Sequence, residues 1–219
     1  MSRRTILTAL AGVLAVLLLA AGVLWAFPVL RVSSFEVTGN ANSPEEYVVD
    51  ATGVSVGDNL VRVDAGQAAQ GVAELPWVRS ATVSRQWPST LAVEVTERQA
   101  LMYSSEGDGD HLIDTDGRPF VIDVPPEGAV EVTGSLRQDP DTLAGVADAL
   151  TALPDHVRAL VASVDVPGEF EIELRLYDGR TIFWGAADAN HDKALAVQTA
   201  VQREGQHWNV SNPSMVTVR

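Results

Sequence analysis

In FEVTGN the apolar positions Phe35 and Val37 alternate with Glu36 and Thr38, which predicts a short strand closed by Gly39-Asn40. The next stretch, SPEEYVVDATG, changes to a helical rhythm. Ser43 is placed to cap that helix, with Pro44 at its first position, Glu46 completing a capping box and Gly53 in the left-handed site past its end. VGDNLVRV predicts a loop with a short extended piece. A second helix starts at Asp64, its apolar positions Ala65, Ala68, Val72 and Leu75 stepping by three and four until Pro76 stops it. Two strands then flank Trp87-Pro88-Ser89: Ala81 and Val83 share one face of the first, and Leu91, Val93 and Val95 one face of the second. Strand, helix, helix, strand, strand predicts one small sheet with both helices on one face.

From Gln99 the rhythm is mainly that of strands. LMYSS and HLID flank the polar tip EGDGD, and IDTDGRPFVID predicts a hairpin around Asp116-Gly117. VPPEGAVEVTGS is expected to be a proline-containing loop. A helix begins at Asp139-Pro140, with Leu143, Val146, Ala147 and Leu150 on one face. VRALVASVDV, EFEIELRLYDGR and TIFWG predict three strands. In the second of them Phe170, Ile172, Leu174 and Leu176 alternate with polar residues up to the Asp178-Gly179 turn. A helix is expected from Asp188 to Glu204, ended by Gly205, and HWNV and SMVTVR read as extended.

One apolar block obeys neither period. Thr5 to Phe27 contains no charge and makes about 34 Å of helix, enough for a hydrocarbon core of about 30 Å. Arg3 and Arg4 precede it, and Trp25 and Phe27 lie near its far end. That predicts an uncleaved single-pass anchor with the N-terminus inside; a cleaved signal peptide is the rival reading, and its apolar core is ordinarily shorter. All 29 acidic residues follow the block, against a net charge of −14 for the whole chain. An acidic exterior of that kind repels nucleic acid and anionic headgroups. There are 0 cysteines, which excludes disulfides and cysteine-ligated metals.

The chain carries little that specifies chemistry. His111, His156, His191 and His207 form no H-E-x-x-H pattern. GDGDH and DTDG lack the spacing of a calcium loop and are explained by turn chemistry. No phosphate-binding loop, dinucleotide fingerprint or nucleophile elbow is present. The expectation is a protein that is not an enzyme, with no cofactor, no metal and no small-molecule substrate. Binding remains. The final stretch SMVTVR has no Pro or Lys to blunt an edge strand, so Met215, Val216, Thr217 and Val218 are candidates for pairing with a partner's strand.

The order of parts resembles the FtsQ/DivIB family of bacterial cell-division proteins over nearly the whole chain. FEVTGN is similar to that family's opening strand. LPWVRSATVSRQWPSTLAVEVTER carries the most specific likeness, to the segment that closes the family's POTRA domain: Leu75-Pro76-Trp77-Val78, Arg85, Trp87-Pro88, Leu91, Val95 and Glu97-Arg98. LIDTDGRPF, Thr133-Gly134, LYDGRTIFWG with Lys193, and the terminal NVSNPSMVTVR resemble later parts of the same family. The chain departs from it at Ala100, where a Pro is usual, and at Trp184, where a Leu commonly precedes Gly185.

The resemblance implies an α+β fold: a short cytoplasmic tail (1–4), a transmembrane helix (5–27), a β-α-α-β-β POTRA domain (28–98), and a mixed or antiparallel β domain with flanking helices (99–219). It implies a non-catalytic scaffold in the cytoplasmic membrane at the division septum, with its domains outside. Such a scaffold binds the coiled-coil proteins FtsB (DivIC) and FtsL and helps control septal peptidoglycan synthesis. By position, the partner would be received at Ser211, Ser214, Met215, Val216, Thr217, Val218 and Arg219, with Lys193 as a helix candidate. Arg79, Arg85 and Trp87 would form a recruitment face on the POTRA domain, although a salt-bridged sheet face would explain the two arginines equally. The alternatives are an anchored POTRA protein that chaperones or assembles envelope polypeptides and, more remotely, a tethered hydrolase.

Overall fold

The computed structural model describes residues 10–19, 22 and 30–218. The expected tail 1–4, most of the expected anchor Thr5–Phe27, and Arg219 lie outside them. Residues 10–19 are helical and exposed throughout. Among the described residues no helix is long and apolar enough to cross a membrane. The chain divides between Glu97 and Arg98 into two units.

The first unit runs β1 (Ser34–Thr38), α1 (Glu45–Ala51), α2 (Ala65–Ala73), β2 (Val78–Gln86) and β3 (Thr90–Glu97). Its sheet order is β1-β3-β2, with β1 parallel and β2 antiparallel to β3. The period-2 pattern of β3 turns Leu91, Val93 and Val95 inward, where they meet Val48, Leu60, Ala68 and Val72 in one core. Asp64 caps α2 as expected, its carboxylate accepting from the N–H groups of Gly66 and Gln67. Gly71 lies inside α2, at some cost in helix propensity. It is required there because a Cβ would come within 2.2 Å of the Ala51 carbonyl oxygen where α1 passes.

The capping box expected at Ser43 is not formed. Pro44, not Ser43, occupies the N-cap position of α1, and no side chain caps that helix. Ser43 is buried and its N–H donates to Glu97, as does the N–H of Asn42, at 2.9 Å. A carboxylate at the end of β3, distant in sequence, thus satisfies the donors at the entry to α1.

The second unit continues with β4 (Ala100–Glu106), β5 (Gly109–Asp114), β6 (Pro119–Ile122), β7 (Val130–Thr133), α3 (Pro140–Ala152), α4 (Asp155–Arg158) and β8 (Val161–Asp165). It ends with β9 (Ile172–Leu176), β10 (Thr181–Gly185), α5 (Asn190–Ala200), β11 (His207–Asn209) and β12 (Thr217–Val218). All nine strands form one sheet, ordered β12-β11-β10-β9-β8-β7-β4-β5-β6. It is mixed: β7 runs parallel to both β4 and β8, and β11 parallel to β10. α3 starts at the Asp139 cap and Pro140, and its Leu143, Val146 and Leu150 share a core with Val132, Leu174, Ile182 and Val197.

Several expected boundaries shift. VPPEGAVEVTGS contains β7, because Val130 and Val132 fill the gap between β4 and β8. VRALVASVDV is divided: Val157 belongs to a short helix and the strand begins at Val161. Phe170 precedes β9 and is exposed, so the clean alternation there starts at Ile172. α5 is shorter than expected, and SMVTVR is extended as a strand only at Thr217 and Val218. Trp184 fits its unusual place beside a bulge at Phe183/Gly185: it is fully buried and its indole N–H donates to Asn190 Oδ1 at 3.0 Å.

Candidate functional site

The nine-stranded sheet has two edge strands, and they differ. β6 opens with Pro119, and Pro125-Pro126 follow it closely, so that edge is blunted. β12 is not. It pairs antiparallel with β11, Trp208 opposite Val218 and Asn209 opposite Thr217. Its other side has no strand beside it among the described residues. Val216, Thr217 and Val218 are exposed, and Met215 is 68% exposed.

The approach to β12 is a pair of local turns. The Asn209 carboxamide oxygen accepts from the N–H and hydroxyl of Ser211, and that of Asn212 accepts from the N–H of Ser214. The Met215 N–H closes onto the Asn212 carbonyl at 3.0 Å. Of the residues expected in the terminal strand, Ser211, Ser214 and Met215 therefore shape the turn, Thr217 and Val218 make the strand, and Arg219 lies outside the described residues.

α5 flanks this edge and is held at both ends by a cation. Lys193 is 1% exposed. Its ammonium donates to the Ala186 carbonyl at 2.9 Å and to the Asp188 carboxylate at 2.5 Å. Asp188 is itself exposed, and the hydrogen bond and charge of Lys193 hold its pKa below the usual carboxylate range. This clasp keeps the turn before α5 in place, including Ala189, which sits in the left-handed region at φ 44° and offers no side-chain cap. At the other end Arg180, from the Asp178-Gly179 turn, donates to the Val201 carbonyl at 3.1 Å and to Asp178 at 2.8 Å. A cation on the last carbonyls of a helix complements its dipole. Lys193 thus lies on the helix that flanks the edge, but its side chain faces inward.

Between α5 and the terminal segment lies a groove of about 500 Å³, lined by Leu195, Thr199, Arg203, Trp208, Ser214 and Val216. Sequence reasoning missed it. The available signal was the placement of side-chain sizes on α5: small Ala194 and Ala200 face the core, while Leu195 is 52% exposed. Gly205 permits the close fit of the helix exit, since a Cβ there would meet Val218 Cγ2 at 2.3 Å and the Trp208 ring at 3.1 Å.

In the first unit the three recruitment candidates divide. Arg85 is committed to structure: its guanidinium donates to the carbonyls of Leu60 and Val63, tying β2 to the loop before α2. Arg79 is exposed near the start of β2, and Trp87 is 58% exposed in the turn after it, joined to Pro88 by a cis peptide bond. At the division between the units, Glu97 and Arg98 turn to different sides. Glu97 serves the entry of α1, and Arg98 donates to Asp114, a buried carboxylate that also accepts from the N–H groups of Asp116 and Arg118. Among the described residues no cluster of His, Asp and Glu is arranged to hold a metal ion.

Chemically, the β12 edge offers backbone donors and acceptors to an incoming strand, exposed apolar side chains beside them, and a groove alongside. Comparison with known proteins agrees with both units. Residues 30–98 match the family model for the POTRA domain, FtsQ-type, and residues 100–215 that for the C-terminal part of cell division protein FtsQ/DivIB. The chain is 43% identical over 220 residues to cell division protein FtsQ of Corynebacterium glutamicum, covering 99% of each. It is 34% identical over 212 residues to that of Mycolicibacterium smegmatis, covering 95% of this chain and 63% of the relative. The solved extracytoplasmic domain of DivIB from Geobacillus stearothermophilus superposes at a TM-score of 0.38 with 18% identity, over 50% of this chain and 98% of that one, too slight a likeness to bear on the fold. With both units matched and a full-length relative at that identity, the chain belongs to the FtsQ/DivIB family of cell-division proteins.

Proposed function

We propose that this protein is a non-catalytic scaffold of the division machinery. It is anchored in the cytoplasmic membrane by Thr5–Phe27, with its N-terminus inside and both folded units outside, at the septum. There it binds FtsB (DivIC) and FtsL and helps control septal peptidoglycan synthesis. The observation that carries the binding role is the β12 edge, which has no strand on its outer side among the described residues, with Met215, Val216 and Val218 exposed along it. An added strand along the two residues of β12 would make about two main-chain hydrogen bonds, contributing roughly 1–3 kcal/mol, and co-anchoring in one membrane raises the effective concentration of the partner. What supports the anchor is the described part of the apolar block: a helix at 10–19 whose leucines and valines are all exposed, a surface suited to lipid. Arg79 and Trp87, exposed at opposite ends of β2, are the proposed recruitment contacts of the POTRA unit. Lys193 acts through α5 and makes no contact with the partner.

The test is titration calorimetry of the full chain in detergent with the outer segment of FtsB fused to that of FtsL. Val216→Pro removes a backbone donor at the edge, and deletion of Ser214–Arg219 removes the edge itself. Both are expected to abolish binding with the thermal unfolding of the C-terminal unit retained, because residues 214–218 are exposed. Unchanged affinity in either variant removes strand addition from the proposal.

A further inference from the structure

The indole N–H of Trp208 is the one buried side-chain nitrogen or oxygen without a hydrogen-bond partner among the described residues. Trp208 is 7% exposed and lines the groove beside α5. Trp184, on the neighbouring strand β10, shows the ordinary solution, its N–H satisfied by Asn190. A buried donor left unpaired is destabilising, and a Phe would fill much of the same space without that cost. The groove is lined by Trp208, by Val216 next to the β12 edge, and by the apolar Leu195, Ala196 and Ala200, and the indole N–H itself lies buried behind it. Its outer wall is the segment 212–216, held locally by the two turn bonds on Asn212 and by the two-residue pairing of β12. An occupant that pairs with β12 lies against the outer side of this wall, and its displacement would open the indole N–H to that occupant.

We propose, on the basis of the partner-binding reading above, that the partner segment adding to β12 seats an apolar side chain in this groove and presents an oxygen acceptor to Trp208 Nε1. The occupant is thus an extended segment of FtsB type in which an apolar residue adjoins an acceptor, either a side-chain amide or carboxylate or a turned-in backbone carbonyl. The donor is satisfied only in the complex, so Trp208 favours the bound state and selects for that pairing of residues.

The test uses the full chain in detergent, labelled with ¹⁵N at its tryptophan indoles, and the co-purified full-length FtsB–FtsL pair. Trp208→Phe assigns the indole signal by its disappearance. On binding, that signal is expected to move downfield and its exchange with water to slow. The substitution is expected to weaken binding by roughly 2- to 12-fold, the net worth of one hydrogen bond. Leu195→Glu places a charge on the groove wall at an exposed position that should leave folding intact, and is expected to weaken binding at least about tenfold. If the pair binds while the Trp208 indole signal stays in place, the hydrogen bond is overturned. If Leu195→Glu binds as tightly as the unaltered chain, the groove is overturned as the seat. If the pair fails to bind the unaltered chain at all, the partner-binding reading falls first, and this one with it.

Discussion

Glu97 and Arg98 are adjacent in sequence and their side chains serve different units. Glu97 accepts from three donors on Asn42 and Ser43, so its charge substitutes for a local cap on α1. Glu97→Ala should destabilise the first unit by about 2 kcal/mol, and Glu97→Gln by less, since an acceptor is kept. Arg98 compensates Asp114, which is 2% exposed. Arg98→Ala leaves that carboxylate with its backbone donors alone and should cost the second unit about 2–3 kcal/mol. Urea titrations that read the indole signals of Trp77 and Trp184 separately would check both. The two losses should fall in different units; a loss shared equally between the units would contradict these assignments.

At the scale of the element, α5 is the piece on which the proposed site depends. Its inward face is small, its outward face carries Leu195, and its ends are clasped by Lys193 and Arg180. Replacing the Lys193 ammonium by an apolar group frees the turn that holds Ala189 in the left-handed region. Lys193→Met should therefore speed amide exchange across residues 190–194 while leaving β9 protected, because β9 is paired on both sides. Hydrogen exchange read by mass spectrometry distinguishes this local loosening from a general loss of stability. Equal acceleration in β9 would show that Lys193 supports the whole unit.

For the whole molecule the governing quantities are charge and the apolar block. Five carboxylates of the C-terminal unit have pKa values held below the usual range. Glu106 is held by Gln138 and Arg137, Asp108 by His111, Asp139 by Thr142, Asp178 by Arg180 and Asp188 by Lys193. A depressed folded pKa contributes stability that is present above the unfolded carboxylate value, about 4, and is lost as pH falls through the folded value. The urea midpoint of this unit, followed by Trp184, should therefore drop as pH falls below about 4, modestly because Asp108, Asp178 and Asp188 are exposed and screened. The topology is testable because the chain has 0 cysteines. A single Cys at Ser214 should react with a membrane-impermeant maleimide in intact cells, and one at Ser2 only after permeabilisation. The reverse pattern would invert the proposed orientation.

The sequence by itself determined which faces of the regular elements turn inward. Leu91, Val93 and Val95 in β3 and Leu143, Val146 and Leu150 in α3 were legible from their period, because burial on one face is a local constraint that recurs along the element. It also carried the family, through the segment Leu75 to Arg98, and the unguarded character of the last residues. Only the tertiary structure decided the features that need a second, distant partner. β7 is a strand because β4 and β8 leave a place for Val130 and Val132, and its own alternation, four residues long, is too short to predict it. Ser43 is not a cap because Glu97 arrives from the far end of the unit. Lys193 points inward because Ala186 and Asp188 curl back to meet its ammonium. The groove at Trp208 exists only where α5, β11 and the terminal turn converge. Periodicity reports how a segment divides between core and water; it carries no information about which remote group satisfies a charge or an N–H, and at this edge those remote pairings shape the proposed site.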